Sequence, residues 1–225
     1  MSDLRPTVFV VDDDGSVRES LRLLVESAGW EPQTFASGLE FLARPRTLAP
    51  SCLVLDMVLP TLDGCDVQKL LADRVEMPII FISGQADLPR AIRAMKAGAV
   101  DFLTKPFVDA VLLGAIGSAI DRSRAALRDA QDLRASRASY ASLSRREREV
   151  MALVVTGRLN KQVAADLGIT EFTVKAHRGH LMRKMRADSV ADLVRMDARL
   201  GHAPADAPGR ASVPGDGSEG SHALI

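Results

Sequence analysis

Residues 7–14 read Thr-Val-Phe-Val-Val-Asp-Asp-Asp, five β-branched or aromatic residues running straight into three carboxylates. A continuous apolar run that does not alternate marks a strand covered on both faces, as in a parallel sheet. This one delivers acids at its carboxyl end. The pattern recurs outward from it. Cys52–Leu55 ends at Asp56, Pro78–Ile82 ends at Ser83, and Val100–Leu103 ends at Thr104-Lys105-Pro106, with a further short run at Glu31–Phe35. Between the strands lie helix-like segments. Ser16 followed by Glu19 reads as a helix cap ahead of Val17, Leu21, Leu24 and Val25. Leu39–Ala43 is a short helix, Asp63-Gly64 opens another through Leu71, Asp87 starts one ending near Gly98, and a fifth begins at about Asp109. Five strand–helix repeats with short connections predict an α/β unit with a five-stranded, doubly wound parallel sheet.

In such sheets the working groups gather at the carboxyl ends of the strands, beside a reversal of strand order. Here those ends carry Asp12, Asp13, Asp56, Ser83 and Lys105. Taken singly, each acid is more simply a helix cap or a strand terminus. Five such groups at strand ends are much harder to obtain by chance. Three neighbouring carboxylates repel unless a cation lies among them, and a hard ion such as Mg²⁺ suits oxygen donors that leave room for phosphate. A carboxylate beside that ion can attack a phosphoryl group, with Lys105 offsetting oxygen charge and the Ser83 hydroxyl holding a phosphate oxygen.

Composition fits this division. The 225 residues are 47% hydrophobic, enough for real cores, and carry no net charge. The charge is unevenly placed. Residues 1–120 hold 11 Lys/Arg against 16 Asp/Glu, a net of −5, while residues 121–200 hold 17 against 10, a net of +7. An acidic part joined to a basic part suits one site for cations and another for polyanions. Cys52 and Cys65 form no metal or redox spacing and read as small buried hydrophobes in a reducing compartment. With no apolar run of membrane length and no secretory pattern at residues 1–14, a cytoplasmic protein without membrane contact is expected.

The domain plan read from the chain is residues 1–122 for the α/β unit, an Ala- and Arg-rich helical linker over 123–142, an all-helical unit over 143–200, and a disordered Gly/Pro/Ala-rich tail over 201–225. In the helical unit Ser144 and Glu147 form a capping box. Asn160–Leu167, the turn Gly168-Ile169-Thr170 and a helix over Glu171–Met185 give helix-turn-helix spacing over about 160–179. On the last helix Val174, Leu181 and Met185 share a core face, opposite Lys175, Ala176, Gly179, Arg183 and Arg186. That outer face is basic at its edges and small at its centre, so the backbone can approach base edges. Lys161, Thr173, Arg178 and Lys184 fall where DNA phosphates would be met. His177 and His180 lack further ligands nearby and read as packing or phosphate-contact residues.

Residues 5–122 resemble the receiver domain of two-component response regulators, of the FixJ/StyR-like group, with a flavodoxin-like fold. The match lies in Asp12-Asp13, Asp56 with Pro60 and Gly64, Ser83-Gly84, the run Ala97–Phe102, and Lys105-Pro106. The resemblance implies that Asp56 accepts phosphate and that Asp13 and Asp56 hold Mg²⁺ directly. It further implies that Asp12 acts through water, that the Val58 carbonyl is a ligand, that Ser83 and Phe102 form a coupled switch, and that Lys105–Pro106 is cis. Residues 143–199 are similar to the LuxR-type DNA-binding domain through LSRREREVMALVVTGRLNKQVAADLGITEFTVKAHRGHLMRKM. That resemblance implies base contacts from Lys175, Ala176 and Gly179. Together they imply a transcription regulator, not an enzyme: a sensor histidine kinase as phosphodonor, homodimerisation on phosphorylation, double-stranded promoter DNA and RNA polymerase as partners, and an activating role. An aspartyl-phosphate phosphatase or phosphotransferase would instead need Asp-x-Asp-x-Thr, and Asp56 is followed by Met57-Val58. A DNA-binding protein with an inert receiver would not need the acids, hydroxyl and lysine that are all kept.

Overall fold

The apolar run beginning at Thr7 forms β1 (Thr7–Val11), every residue of which is buried. It is followed by α1 (Gly15–Ser27), β2 (Glu31–Phe35), α2 (Gly38–Ala43), β3 (Ser51–Asp56), α3 (Gly64–Leu70), β4 (Ile79–Ser83), α4 (Leu88–Lys96), β5 (Asp101–Thr104) and α5 (Asp109–Ala141). Four helices complete the chain: α6 (Arg145–Val154), α7 (Asn160–Leu167), α8 (Glu171–Met185) and α9 (Val190–Leu200). The computed structural model describes residues 5–84 and 87–201. It divides into two compact units at Asp132/Leu133. The tail expected over 201–225 lies, beyond Gly201, outside the described residues.

All five strands pair in parallel in the order β2-β1-β3-β4-β5, as a doubly wound sheet. The order reverses between β1 and β3, which opens a crevice at their carboxyl ends. Successive side chains point to opposite faces, so the strands feed two cores. Phe9, Val11, Leu53, Leu55 and Phe81 pack with Phe41, Val67 and Leu71 on one face. Val8, Val10, Val54, Ile80 and Ile82 pack with Leu21, Val25, Leu112 and Ile116 on the other.

The start of α1 departs from the sequence expectation. Asp14 caps it, its carboxylate accepting from the amides of Ser16 and Val17, while Ser16 lies inside the first turn. A carboxylate one residue ahead of the helix reaches two orphan amides, which the Ser16 hydroxyl, already inside the turn, does not. Cys65 is a second departure. It is only half buried, with its Sγ 3.5 Å from Met57 Sδ, whereas Cys52 is fully buried in β3 and its thiol is pushed up by that burial. Gly114 and Gly117 in α5 have no packing reason either: a Cβ at either position would meet nothing within 4 Å.

In the second unit α6, α7, α8 and α9 enclose Val150, Met151, Val154, Val163, Val174, Leu181, Met185 and Leu193. Gly168 ends α7 at φ +64°, the left-handed conformation that glycine adopts without a Cβ clash. The chain then turns through Ile169 into α8, capped by Thr170.

Candidate functional site

The acid site is assembled from the ends of β1, β3 and β5. Asp12 is buried and Asp56 nearly so, while Asp13 is exposed. One carboxylate oxygen from each of the three lies within 4.8 Å of the others. Lys105, just past β5, donates from Nζ to Asp12 Oδ2 at 2.6 Å and to Asp56 Oδ2 at 2.7 Å. The second oxygens are held by backbone amides, Asp12 Oδ1 by Asp14 N at 2.9 Å and Asp56 Oδ1 by Val58 N at 3.0 Å. Ser83 is buried at the end of β4, and its carbonyl accepts from the Lys105 amide at 2.7 Å. Phe102 pairs with Phe81 in the sheet register and lies half buried against the first core. The Lys105–Pro106 bond is cis, as the family resemblance implied.

Electrostatics follow from burial. Desolvation pushes the Asp12 carboxyl above its ordinary value, by more than the bonds from Lys105 and Asp14 lower it. Burial pulls the Lys105 ammonium down, but its bonds to Asp12 and Asp56 outweigh this and the net shift is upward. One ammonium thus faces three carboxylates, a charge deficit that a hard divalent cation with oxygen ligands would complete. The donor set fits such an ion: carboxylate oxygens at one rim, of which Asp13 is open to solvent.

Several supports of the site were not singled out from the sequence. Arg18 reaches back from α1 and donates to the Asp12 carbonyl at 2.7 Å. Arg90 at the start of α4 bridges to Asp63, the α3 cap, at 3.0 Å. These are long-range consequences of packing, and no local spacing announces them. Gly64 did carry a signal, a glycine at the first position of a helix.

In the helical unit the outer face of α8 presents Lys175, Ala176, Gly179 and Arg183 to solvent, and Lys161 is exposed on α7. Other residues expected at DNA phosphates have internal partners. Arg178 donates to Asn160 Oδ1 at 2.7 Å, and the Thr173 and Thr170 hydroxyls lie 2.9 Å apart. Lys184 has two such partners. Its Nζ binds Glu147 Oε2 at 2.7 Å and the Ser142 carbonyl at 3.3 Å. Glu147 is buried as part of the capping box and needs a counter-charge, which Lys184 supplies. Burial alone would raise the Glu147 carboxyl, but the bonds from Lys184 and Ser144 hold it down at about 2.

A parallel sheet with acids and a lysine at its switch point, followed by a helix-turn-helix unit, defines a receiver joined to a DNA reader. The comparisons agree. Residues 8–117 match the response regulator receiver domain, and residues 141–197 match the bacterial regulatory proteins of the luxR family. Nodulation protein W of Bradyrhizobium diazoefficiens is 53% identical over 196 residues, 86% of each chain. Response regulator protein TmoT of Ectopseudomonas mendocina is 47% identical over 201 residues, covering 89% of this chain and 91% of its own. The low-resolution structure of response regulator StyR superposes with a TM-score of 0.74 at 44% identity, over 87% of this chain and 99% of that one. The chain belongs to the two-component response regulators that carry a LuxR-type DNA-binding domain, a family of transcription regulators and not of enzymes. No helix among the described residues is long and apolar enough to cross a membrane.

Proposed function

We propose that this regulator is switched by phosphorylation of Asp56 and acts in the cytoplasm as a promoter-binding activator. An Asp56 oxygen forms a P–O bond with the phosphoryl group of a sensor kinase's phosphohistidine as the P–N bond breaks and its electron pair returns to the imidazole. Asp12, Asp13, Asp56 and the Val58 carbonyl would hold Mg²⁺, which when bound offsets the charge on the transferring oxygens. The observation that carries this reading is Lys105, whose ammonium bonds Asp56 and Asp12 together and so stands beside the proposed acceptor.

On phosphorylation Lys105 turns to the phosphate oxygens, the Ser83 hydroxyl moves toward them, and Phe102 rotates into the space released. The burial of Ser83 and the half-buried ring of Phe102 support that coupling. The altered surface then pairs two receivers through α4 and β5. Leu88, Ile92 and Met95, at i, i+4 and i+7 on α4, are 68%, 46% and 42% exposed. An apolar stripe of this kind on a solvent face suits self-association. Two DNA-binding units then engage a two-fold related site, with Lys175, Ala176 and Gly179 at bases and Lys161, Thr173, Arg178 and Arg183 toward phosphates, and the assembly recruits RNA polymerase.

The test is Asp56→Asn. With magnesium and a small phosphodonor, the wild-type chain should form an acid-stable, base-labile acyl phosphate and gain promoter affinity, and the variant should do neither. Equal regulation by both would overturn the switch.

A further inference from the structure

Phe172, the second residue of α8, is 83% exposed, more than any other large apolar side chain among the described residues. It takes no part in the helix cap, where Thr170 accepts from the Thr173 amide at 3.2 Å. It is also absent from the core that Val174, Leu181 and Met185 fill. An aromatic ring left in water forgoes the stabilisation that burial would bring, so its place on the helix matters. At 100° per residue, Lys175, Ala176, Gly179 and Arg183 all fall within about 60° of Phe172. All five are exposed, so Phe172 begins the same outward stripe. Phe172 and Ala176 stand one turn apart as its apolar members.

We propose that Phe172 determines operator specificity by packing against the C5-methyl group of a thymine in the major groove. The inference rests on α8 lying in that groove, as argued above. The N-terminal residues of a recognition helix are those that reach base edges. Of the groups exposed there, only thymine offers an apolar one to which a phenyl ring is complementary. A ring cannot bond phosphate, so the contact adds sequence preference without adding charge. A nearly flat, uncharged contact at this position also distinguishes it from Lys175, which neutralises or donates.

Deoxyuridine replaces thymine with the loss of the methyl group alone and gives a direct test. The full-length protein is footprinted, and each thymine of the protected half-site is replaced in turn. One replacement should weaken wild-type binding about fourfold, the worth of one buried methyl-sized group. Phe172→Ala should bind the all-thymine site about fourfold or more weakly and be indifferent to that one replacement, while keeping its response to the others. Its salt dependence should equal that of the wild type, because no phosphate contact is lost. Circular dichroism melting should be unchanged, and Phe172→Leu should restore part of the preference. Wild-type affinity in Phe172→Ala, or an unaltered deoxyuridine profile, would overturn the proposal. So would intact binding with lost transcription, which would assign the ring to a protein partner. Failure of the wild-type chain to protect any DNA would instead remove the groove placement itself.

Discussion

A Cβ built on Gly64 would stand 2.6 Å from the Asp56 carbonyl oxygen, 3.0 Å from Phe81 Cε1 and 3.1 Å from Met57 Cα. Two of these neighbours are backbone, which cannot swing aside, so the methyl group would push α3 away from the end of β3. Gly64→Ala should therefore destabilise the receiver by about 1–3 kcal/mol and slow acyl-phosphate formation at Asp56. Urea unfolding followed by Trp30 fluorescence and phosphodonor labelling check the two effects. Wild-type labelling would show that the strand end tolerates the shift. Lys184 makes the opposite case, a residue whose partner was hidden. Its surface position and charge read as a phosphate contact, while the glutamate it serves lies 37 residues earlier and is brought near only by packing of α6 on α8. Lys184→Met should cost about 1–3 kcal/mol by leaving Glu147 without its counter-charge. The pH sign is fixed by the carboxyl's folded value of about 2, below its ordinary 4.5. Glu147 then stabilises fully above 4.5, and its contribution fades as pH falls from there toward 2. Amide exchange in α6 and α8 of wild type and Glu147→Gln should differ at neutral pH and converge near pH 2.

At the scale of elements, β1 was legible because a strand buried on both faces leaves an unbroken apolar run, whereas β2, Glu31–Phe35, is an edge strand without such a run and with no residue fully buried. The turn of the helix-turn-helix was legible from its punctuation, Gly168 ending α7 and Thr170 capping α8. Where two good caps stood close together, at Asp14 and Ser16, spacing alone could not choose, and the choice depended on which side chain reached the free amides. Asp14→Ala should cost the receiver about 1 kcal/mol, and Ser16→Ala should be close to neutral, both read by urea unfolding of the full chain. α5 supplies a stabilising counterpart. Gly114 and Gly117 lie in helix interior with open space where a Cβ would go. Alanine at either should add about 1 kcal/mol, the difference in helix propensity. Failure to stabilise would mean that a Cβ at these positions meets a neighbour in solution after all.

For the whole molecule, the proposed switch requires that a charge added at Asp56 alter binding by α8. Among the described residues, α5 alone runs through both units, 33 residues from Asp109 to Ala141. Its outer half is mostly exposed, with Ser136 buried within it. Under the proposed function, pairing of receivers is the route that carries the coupling. Joining two DNA-binding units raises affinity for a double site by factors of about 10²–10⁴ without any new DNA contact. Ile92 tests this, because it stands in the middle of the exposed α4 stripe, at a distance in sequence from every residue of the acid site. Ile92→Glu should take up phosphate on Asp56 at the wild-type rate and keep the Trp30 unfolding profile. In sedimentation it should remain a monomer after phosphorylation, and the wild-type chain should pair. Its affinity for a promoter with two half-sites should fall about a hundredfold relative to the phosphorylated wild type, and its affinity for a single half-site should not change. Combining it with Asp56→Asn should add no further loss, since both substitutions interrupt one chain of events. A phosphorylated Ile92→Glu monomer that still gained affinity for the single half-site would place the coupling within one chain and exclude pairing as its route.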